Sequence, residues 1–266
     1  MVNMIAVLIP TFKTGNYFED CVRSLAAQTL SKDDFHVYVA LNGPESPYLS
    51  YLEKTFNKSQ LNYSVFHLPE PGVSAARNFL IEKSCEPYIC FVDDDDFLDP
   101  LYLESLLVAS DEKTIGLANV KAFEGDIRLS RLNYIGESYS NLSYYESSIL
   151  KTRKYFSSPW AKLIHRSIVG ETTFDQRLSK GEDALFMAKL SKRVGGVRKA
   201  SPEVVYYVRE RPGSASRRRT KKMDEVKRFF YLELCYLKLL FSSGYAKAFI
   251  ITRMIATFLQ LLKSFK

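Results

Sequence analysis

Cys90-Phe91-Val92-Asp93-Asp94-Asp95-Asp96-Phe97 sets four carboxylates in a row directly behind an apolar segment. That segment, Pro87-Tyr88-Ile89-Cys90-Phe91-Val92, is apolar, aromatic and β-branched, the composition of a short buried strand. Adjacent anions repel one another and suit neither a strand nor a core. At the carboxyl end of a strand in an α/β sheet they have a use, because a ligand or cation there neutralises them. A solvated acidic turn following a strand is the other reading of the same residues.

Outward from this run, strand and helix patterns alternate. Residues 4–9 predict a buried strand, and 16–28 carry Tyr17, Phe18, Cys21, Val22, Leu25 and Ala26 at helical spacing. A second strand is predicted over 35–41, closed by the turn Asn42-Gly43-Pro44. A helix near 46–57, a strand near 62–67 and a helix over 73–84 lead to the strand at 87–92. This alternation predicts a mainly parallel sheet with helices on both faces, which binds ligands at the carboxyl ends of its strands. Pro10, Asn42 and Asp93 all fall at such ends. Further on, the pattern predicts a helix over 100–109, a strand over 117–123, a loop or strand pair over 134–145, a helix over 181–193 and a strand over 203–208. No internal repeat or Gly/Ser linker divides the chain, so one domain with a helical tail is expected.

The 266 residues suffice for one sizeable core, and 46% apolar with 25% charged residues is ordinary globular composition. Aromatic residues make up 14%, a share that fits both core filling and sugar sites. Cys21, Cys85, Cys90 and Cys235 form no C-x-x-C pair, and the reading is of small hydrophobes in a reducing compartment. His36, His67 and His165 read as structural. No basic region followed by an apolar run and a cleavage site opens the chain, so a cytoplasmic location is expected, free or peripheral on the cytosolic face of the inner membrane. Residues 217–266 hold 12 Lys and Arg against three acids, a net of +9, and the rest of the chain is at −2. That distribution argues against a nucleic-acid-binding core and for a tail that meets an anionic partner.

Several segments in order carry a resemblance: Ile5-Ala6-Val7-Leu8-Ile9-Pro10-Thr11-Phe12, Pro71-Gly72-Val73-Ser74-Ala75-Ala76-Arg77-Asn78, the acidic run, Ser158-Pro159-Trp160-Ala161-Lys162-Leu163, Gly181-Glu182-Asp183 and Gly213-Ser214-Ala215-Ser216. Together they resemble the family 2 glycosyltransferases, across roughly residues 4–216. The resemblance implies the α/β GT-A fold, with a nucleotide-binding half over about 1–100 and an acceptor half over about 101–216. It implies a metal-dependent inverting transfer from a nucleotide-sugar, with UDP-sugar first and GDP- or dTDP-sugar as alternatives. The acceptor would be a hydroxyl of a saccharide, free or lipid-linked, in the synthesis of a surface polysaccharide.

Residue by residue, the resemblance makes Asp95 the direct ligand of Mn²⁺ or Mg²⁺. Asp93 lies near the ribose or the metal's water shell, with Asp94 beside it. Asp96 is expected to hold the loop or the donor sugar. Asp183 is the base for the acceptor hydroxyl, with Glu182 as its neighbour; as bare residues, Gly181-Glu182-Asp183 also reads as a helix start. Pro10, Thr11 and Phe12 form the floor under base and ribose, Arg77 meets the nucleotide, and Asn42 stands where the family usually has an Asp that reads uracil. Lys162 is either a phosphate partner or solvated, and Arg209, Arg211 and Ser214 belong to a loop over the diphosphate. A non-catalytic nucleotide-binding homologue is the rival from another class.

The tail, residues 217–266, reads as a basic amphipathic helix pair. It lacks a run of about 18 uncharged apolar residues, so a spanning helix is disfavoured. It either packs on the catalytic body or a second subunit, giving a homo-oligomer, or lies on an anionic bilayer surface.

Overall fold

The computed structural model describes residues 4–211 and 221–265. Its first half alternates strand and helix: β1 (Ile5–Thr11), α1 (Tyr17–Ala26), β2 (Phe35–Asn42), α2 (Tyr48–Phe56), β3 (Tyr63–Leu68), α3 (Val73–Lys83) and β4 (Tyr88–Phe91). These four strands are parallel and ordered β3-β2-β1-β4, with Ile5 level with both Phe35 and Tyr88. Ile5 to Ile9 are fully buried, as a strand covered on both faces requires.

The second half departs from the expected parallel order. It contains β5 (Phe97–Leu98), α4 (Tyr102–Ala109), β6 (Thr114–Leu117), β7 (Asn119–Phe123), β8 (Arg131–Leu132), α5 (Gly136–Ser140) and β9 (Tyr145–Glu146). Then follow β10 (Lys162–His165), α6 (Arg166–Val169), α7 (Glu182–Leu190), β11 (Gly196–Lys199) and β12 (Val205–Arg209). Strand β10 lies antiparallel between β4 and β6, so the eight-stranded sheet is mixed. The single strand expected over 117–123 is divided at Ala118. Residues before it extend the main sheet, and those after it join a separate sheet ordered β5-β12-β7-β8. The stretch 134–145, expected as a loop or strand pair, holds a short helix, because the buried Tyr139 hydroxyl donates to the Ala200 carbonyl at 2.6 Å and docks that turn. All four cysteines are unpaired.

The small sheet matters for the acidic run. Strand β5 follows Asp96 directly and pairs antiparallel with β12, Leu98 opposite Tyr206 and Phe97 opposite Tyr207. The run is thus held at one end by β4 of the main sheet and at the other by β5 of the small one.

The expected helical tail is present as α8 (Lys222–Phe241) and α9 (Lys247–Ser264), which pack against each other and against the body. Leu232, Tyr236, Phe249 and Ile250 are buried in the same core as β1 and β2. The Phe249 ring meets Phe156 at 5.6 Å, and the Tyr231 hydroxyl donates to Asp175 at 2.5 Å. Among the described residues no helix is long and apolar enough to cross a membrane. Truncating these buried side chains removes burial energy and leaves a cavity. Leu232→Ala is therefore expected to destabilise the whole chain by about 2–5 kcal/mol. In urea denaturation this is read as a lower midpoint of one shared transition; an unchanged midpoint would mean that the helix pair does not share the core.

Candidate active site

The acidic run is neither a strand nor a solvated turn. Its four side chains diverge, and each finds a different partner. Asp93 accepts from Arg77 Nη2 at 3.3 Å. Asp94 accepts from the Thr11 hydroxyl at the end of β1, and that hydroxyl pairs with Thr14 at 2.9 Å. Asp95 accepts from Arg211 Nε at 2.5 Å, and its backbone carbonyl accepts from Arg209 Nε at 2.9 Å. Asp96 is buried and accepts the backbone N–H of Arg209 at 2.9 Å, so it holds the loop.

Tyr206 on β12 clamps the run from beneath. Its buried hydroxyl accepts the Asp93 backbone N–H at 3.1 Å and also bonds to the Asp96 side chain. Its ring stacks on Trp160 at 5.2 Å and 9°. Arg209 reaches across to Asp20 at 2.7 Å and lies over the rings of Tyr17 and Phe123 at 4.7 and 4.6 Å. Tyr206 and Asp20 carry no local sequence signal; only strand pairing and the return of β12 bring them to the run.

The resemblance sets Arg77 against the nucleotide; within the chain it already has protein partners. It is 4% exposed, and its guanidinium bonds to protein carboxylates. Nη1 donates to Asp183 Oδ1 at 2.6 Å, and Nη2 to Asp93. Glu182 lies 3.9 Å from Nη1, and the guanidinium sits over the Phe174 ring at 5.2 Å. The next residue fixes that ring: Asn78 donates to the Phe174 carbonyl at 2.9 Å and accepts its N–H at 2.8 Å. A buried guanidinium is stable only when paired, and two forked bonds to carboxylates supply the pairing. The Arg77-Asn78 pair therefore joins the Asp93 strand end to the start of α7.

Asp183 sits in the first turn of α7 with its side chain 23% exposed. Gly181 turns the chain into this helix at φ +87°, where L residues are strained. A Cβ there would also stand 3.0 Å from Leu232 on α8, so the tail supports the turn that aims Asp183. Glu182 is more buried than Asp183, and its carboxylate lies 3.9 Å from Arg77 Nη1.

Lys162 and Asn42 are both engaged by the protein's own backbone. Lys162 is neither solvated nor turned outward: it is 1% exposed and donates to the carbonyls of Ser158 and Trp160 at 2.7 and 2.6 Å. Burial lowers its pKa to about 7, while the Asp183 charge opposes that shift. Asn42 is 3% exposed with its amide already committed: Nδ2 donates to the Thr11 carbonyl at 2.7 Å, and Oδ1 accepts the Gly72 N–H at 2.9 Å. It ties three chain segments together. Pro10 and Thr11 are buried, and only Phe12 of that trio is exposed, at 48%. Its ring covers Gly43, where a Cβ would meet it at 2.6 Å. Ser214 lies outside the described residues. His36, His67 and His165 bond to Ser64, the Gly43 carbonyl and Ser167, as structural histidines do.

The site carries Asp93 to Asp96, Glu182 and Asp183 against Arg77, Lys162, Arg209 and Arg211, an excess of negative charge. Burial raises the carboxyls: Asp93 to about 6, Asp94 to about 7 and Glu182 to about 7, with Asp183 raised as well. Among the described residues no three His, Cys, Asp or Glu side chains form a ready-made metal cage. Asp95, with a side chain 18% exposed, suits a hard divalent cation as one oxygen ligand completed by phosphate and water.

The sequence model described as glycosyl transferase family 2 matches residues 6–172. The chain therefore belongs to glycosyl transferase family 2. Glycosyltransferase GlyA of Streptococcus pneumoniae is 27% identical over 82% of this chain and 32% of its own length. Poly(ribitol-phosphate) beta-N-acetylglucosaminyltransferase TarS of Staphylococcus aureus is 24% identical over 78% of this chain and 36% of its own. This chain thus spans about a third of those relatives. Among solved structures, S. aureus TarS 1–349 in complex with UDP-GlcNAc superposes with a TM-score of 0.78 at 23% identity, covering 98% of this chain and 73% of that one. The mannosyltransferase PcManGT from Pyrobaculum calidifontis, with GDP-Man and Mn²⁺, gives 0.66 at 13% identity, covering 98% and 72%. The fold is that of the GT-A glycosyltransferases.

Two outcomes follow from this geometry. Removing one partner of a buried ion pair leaves the other charge uncompensated, so Arg77→Ala is expected to cost about 3–5 kcal/mol in chemical denaturation. A cost below about 0.5 kcal/mol would show that the guanidinium does not organise the site. The raised carboxyls hold their protons more tightly folded than unfolded. Their stabilising contribution is full below the ordinary carboxylate range and is lost as pH rises through about 6 to 7. In metal-free buffer the melting temperature is expected to fall over that window, and Glu182→Gln, which mimics the protonated form, to flatten the fall. An equally steep fall in the variant would place the proton elsewhere.

Proposed function

We propose that the chain catalyses inverting transfer of a sugar from a nucleotide-sugar, first a UDP-sugar, to a hydroxyl of a saccharide acceptor. The observation that carries this reading is the shared guanidinium: Arg77 bonds to Asp93 in the acidic run and to Asp183 at the opposite element. A donor-binding wall and a base are thereby held against each other.

In this reading Asp183 takes the proton of the acceptor hydroxyl as its oxygen attacks the anomeric carbon. The new C–O bond forms as the bond to the diphosphate breaks, and the nucleoside diphosphate leaves with the electron pair. Arg77 keeps the Asp183 carboxylate oriented. A divalent cation, when bound, would be held by Asp95 with Asp93 beside it and would neutralise charge on the leaving diphosphate. Arg211, bonded to Asp95, is the residue that such binding would release to meet phosphate. Phe12 offers an exposed ring for the base. The name of TarS, a poly(ribitol-phosphate) beta-N-acetylglucosaminyltransferase, supports a polyol-phosphate as well as a saccharide acceptor, and a lipid-linked acceptor at the cytosolic membrane face, in surface polysaccharide synthesis, belongs to the same reading.

A GDP-sugar is the second reading, because Asn42 stands where the family usually has an Asp that reads uracil, and its amide is bonded to Thr11 and Gly72. Calorimetric titration with UDP, GDP, CDP and dTDP, each with Mn²⁺ and with EDTA, decides between them. UDP binding that is lost in EDTA and in Asp95→Asn is expected. Preference for GDP would replace the donor, and a folded sample that binds no nucleotide would overturn the enzyme reading. Asp183→Asn is expected to bind the nucleotide as before and to lower turnover by about 10²–10⁴-fold. Unchanged turnover would remove Asp183 as base.

A further inference from the structure

The helix pair α8–α9 buries one side against the body and presents an apolar side outward. On α8 the outer stripe runs Met223, Phe230, Leu234 and Phe241, from 58 to 85% exposed. On α9 it runs Ile251, Ile255, Phe258 and Leu262, from 45 to 52% exposed. The helical period accounts for both stripes, since Leu232 and Tyr236 on α8, and Phe249, Ile250 and Arg253 on α9, face the other way. The stripes are joined: Phe258 meets Phe229 at 6.1 Å, and Phe229 meets Phe230 at 5.3 Å. So many large apolar side chains in one patch exceed the scattered exposure normal on a surface.

The charges around this patch favour one occupant. Lys222, Lys227, Lys238, Lys247 and Lys263 are exposed on the same two helices. Of the acids there, Glu225 is buried against Arg228, Glu233 accepts from Thr257, and only Asp224 is exposed. A self-associating face of this sign would set lysines against lysines, whereas an anionic bilayer complements them. Exposed Phe, Leu and Ile flanked by Lys, on helices that cannot span, is the composition of an element lying in the lipid headgroup layer.

We propose that the outer face of α8–α9 seats the protein on an anionic bilayer surface, with Phe230, Leu234, Ile255 and Phe258 in the headgroup–acyl boundary and the lysines on the lipid phosphates. The surface rests on its own residues. That it brings the site to a lipid-linked acceptor rests on the transfer reading above.

The test is co-sedimentation of the full chain with vesicles of phosphatidylcholine alone and with one-third phosphatidylglycerol. Binding to the anionic vesicles only, weakening with added salt, is expected. Each lysine near such a surface contributes about fivefold in affinity, so Lys227→Glu with Lys238→Glu is expected to lose about 25-fold or more. Phe230→Ser with Leu234→Ser is expected to abolish binding. The urea midpoint of each variant reports its folding, and the lysine pair keeps the test open if the apolar pair fails to fold. No binding to anionic vesicles, or equal binding to neutral ones, overturns the proposal. So does a dimer in sedimentation velocity that Phe230→Ser with Leu234→Ser dissociates, since a second copy would then cover the face. Loss of nucleotide binding would sink the transfer reading and leave vesicle binding standing, so the two failures are distinguishable.

Discussion

The buried guanidinium of Arg77 is the constraint on which the site depends. It stands between a strand end rich in carboxylates and the first turn of α7, and it bonds to both. Without it, Asp93, Glu182 and Asp183 would face one another across a dry gap. Like charges at that spacing do not all stay ionised, and the elements carrying them would part or take up protons. The paired cation allows carboxylates from residues 93 and 183 to converge. The Phe174 ring beneath it, pinned by Asn78, fixes where the guanidinium can lie.

The acidic run shows the same logic at shorter range. Four adjacent carboxylates are tolerable because a turn fans them out to Arg77, Thr11, Arg211 and the Arg209 backbone. Two sheets make that turn rigid, β4 entering it and β5 leaving it against β12. Tyr206 bonds to the Asp93 backbone and the Asp96 side chain, so the fan cannot open without breaking the small sheet.

The helix pair links site and surface. Its inner side completes the core and touches Gly181, one residue from Glu182 and two from Asp183. Its outer side carries the apolar and basic stripes. One amphipathic hairpin thus positions the proposed base from within while offering the outward face on which the protein would be seated.

Local chemistry was enough to find much of this. The apolar run before Asp93 could only be a buried strand, and the regular alternation of periods through residue 92 left a parallel α/β arrangement as the economical packing. The amphipathic tail and the likeness to family 2 were legible for the same reason: each depends on residues close together in the chain. Tertiary structure decided the rest. Lys162 read as a phosphate partner or solvated and Asn42 as standing at the uracil position; the folded chain buries both against backbone groups that they satisfy. The carboxylate partners of Arg77 lie 106 and 16 residues away, beyond any local reading. The division of 117–123 at Ala118, the antiparallel β10 and the clamp by Tyr206 arise from pairings between distant strands. Sequence fixes which side chains must be paired or buried; only the folded chain settles with what, because the partners of a buried charge are chosen by proximity in space and not along the chain.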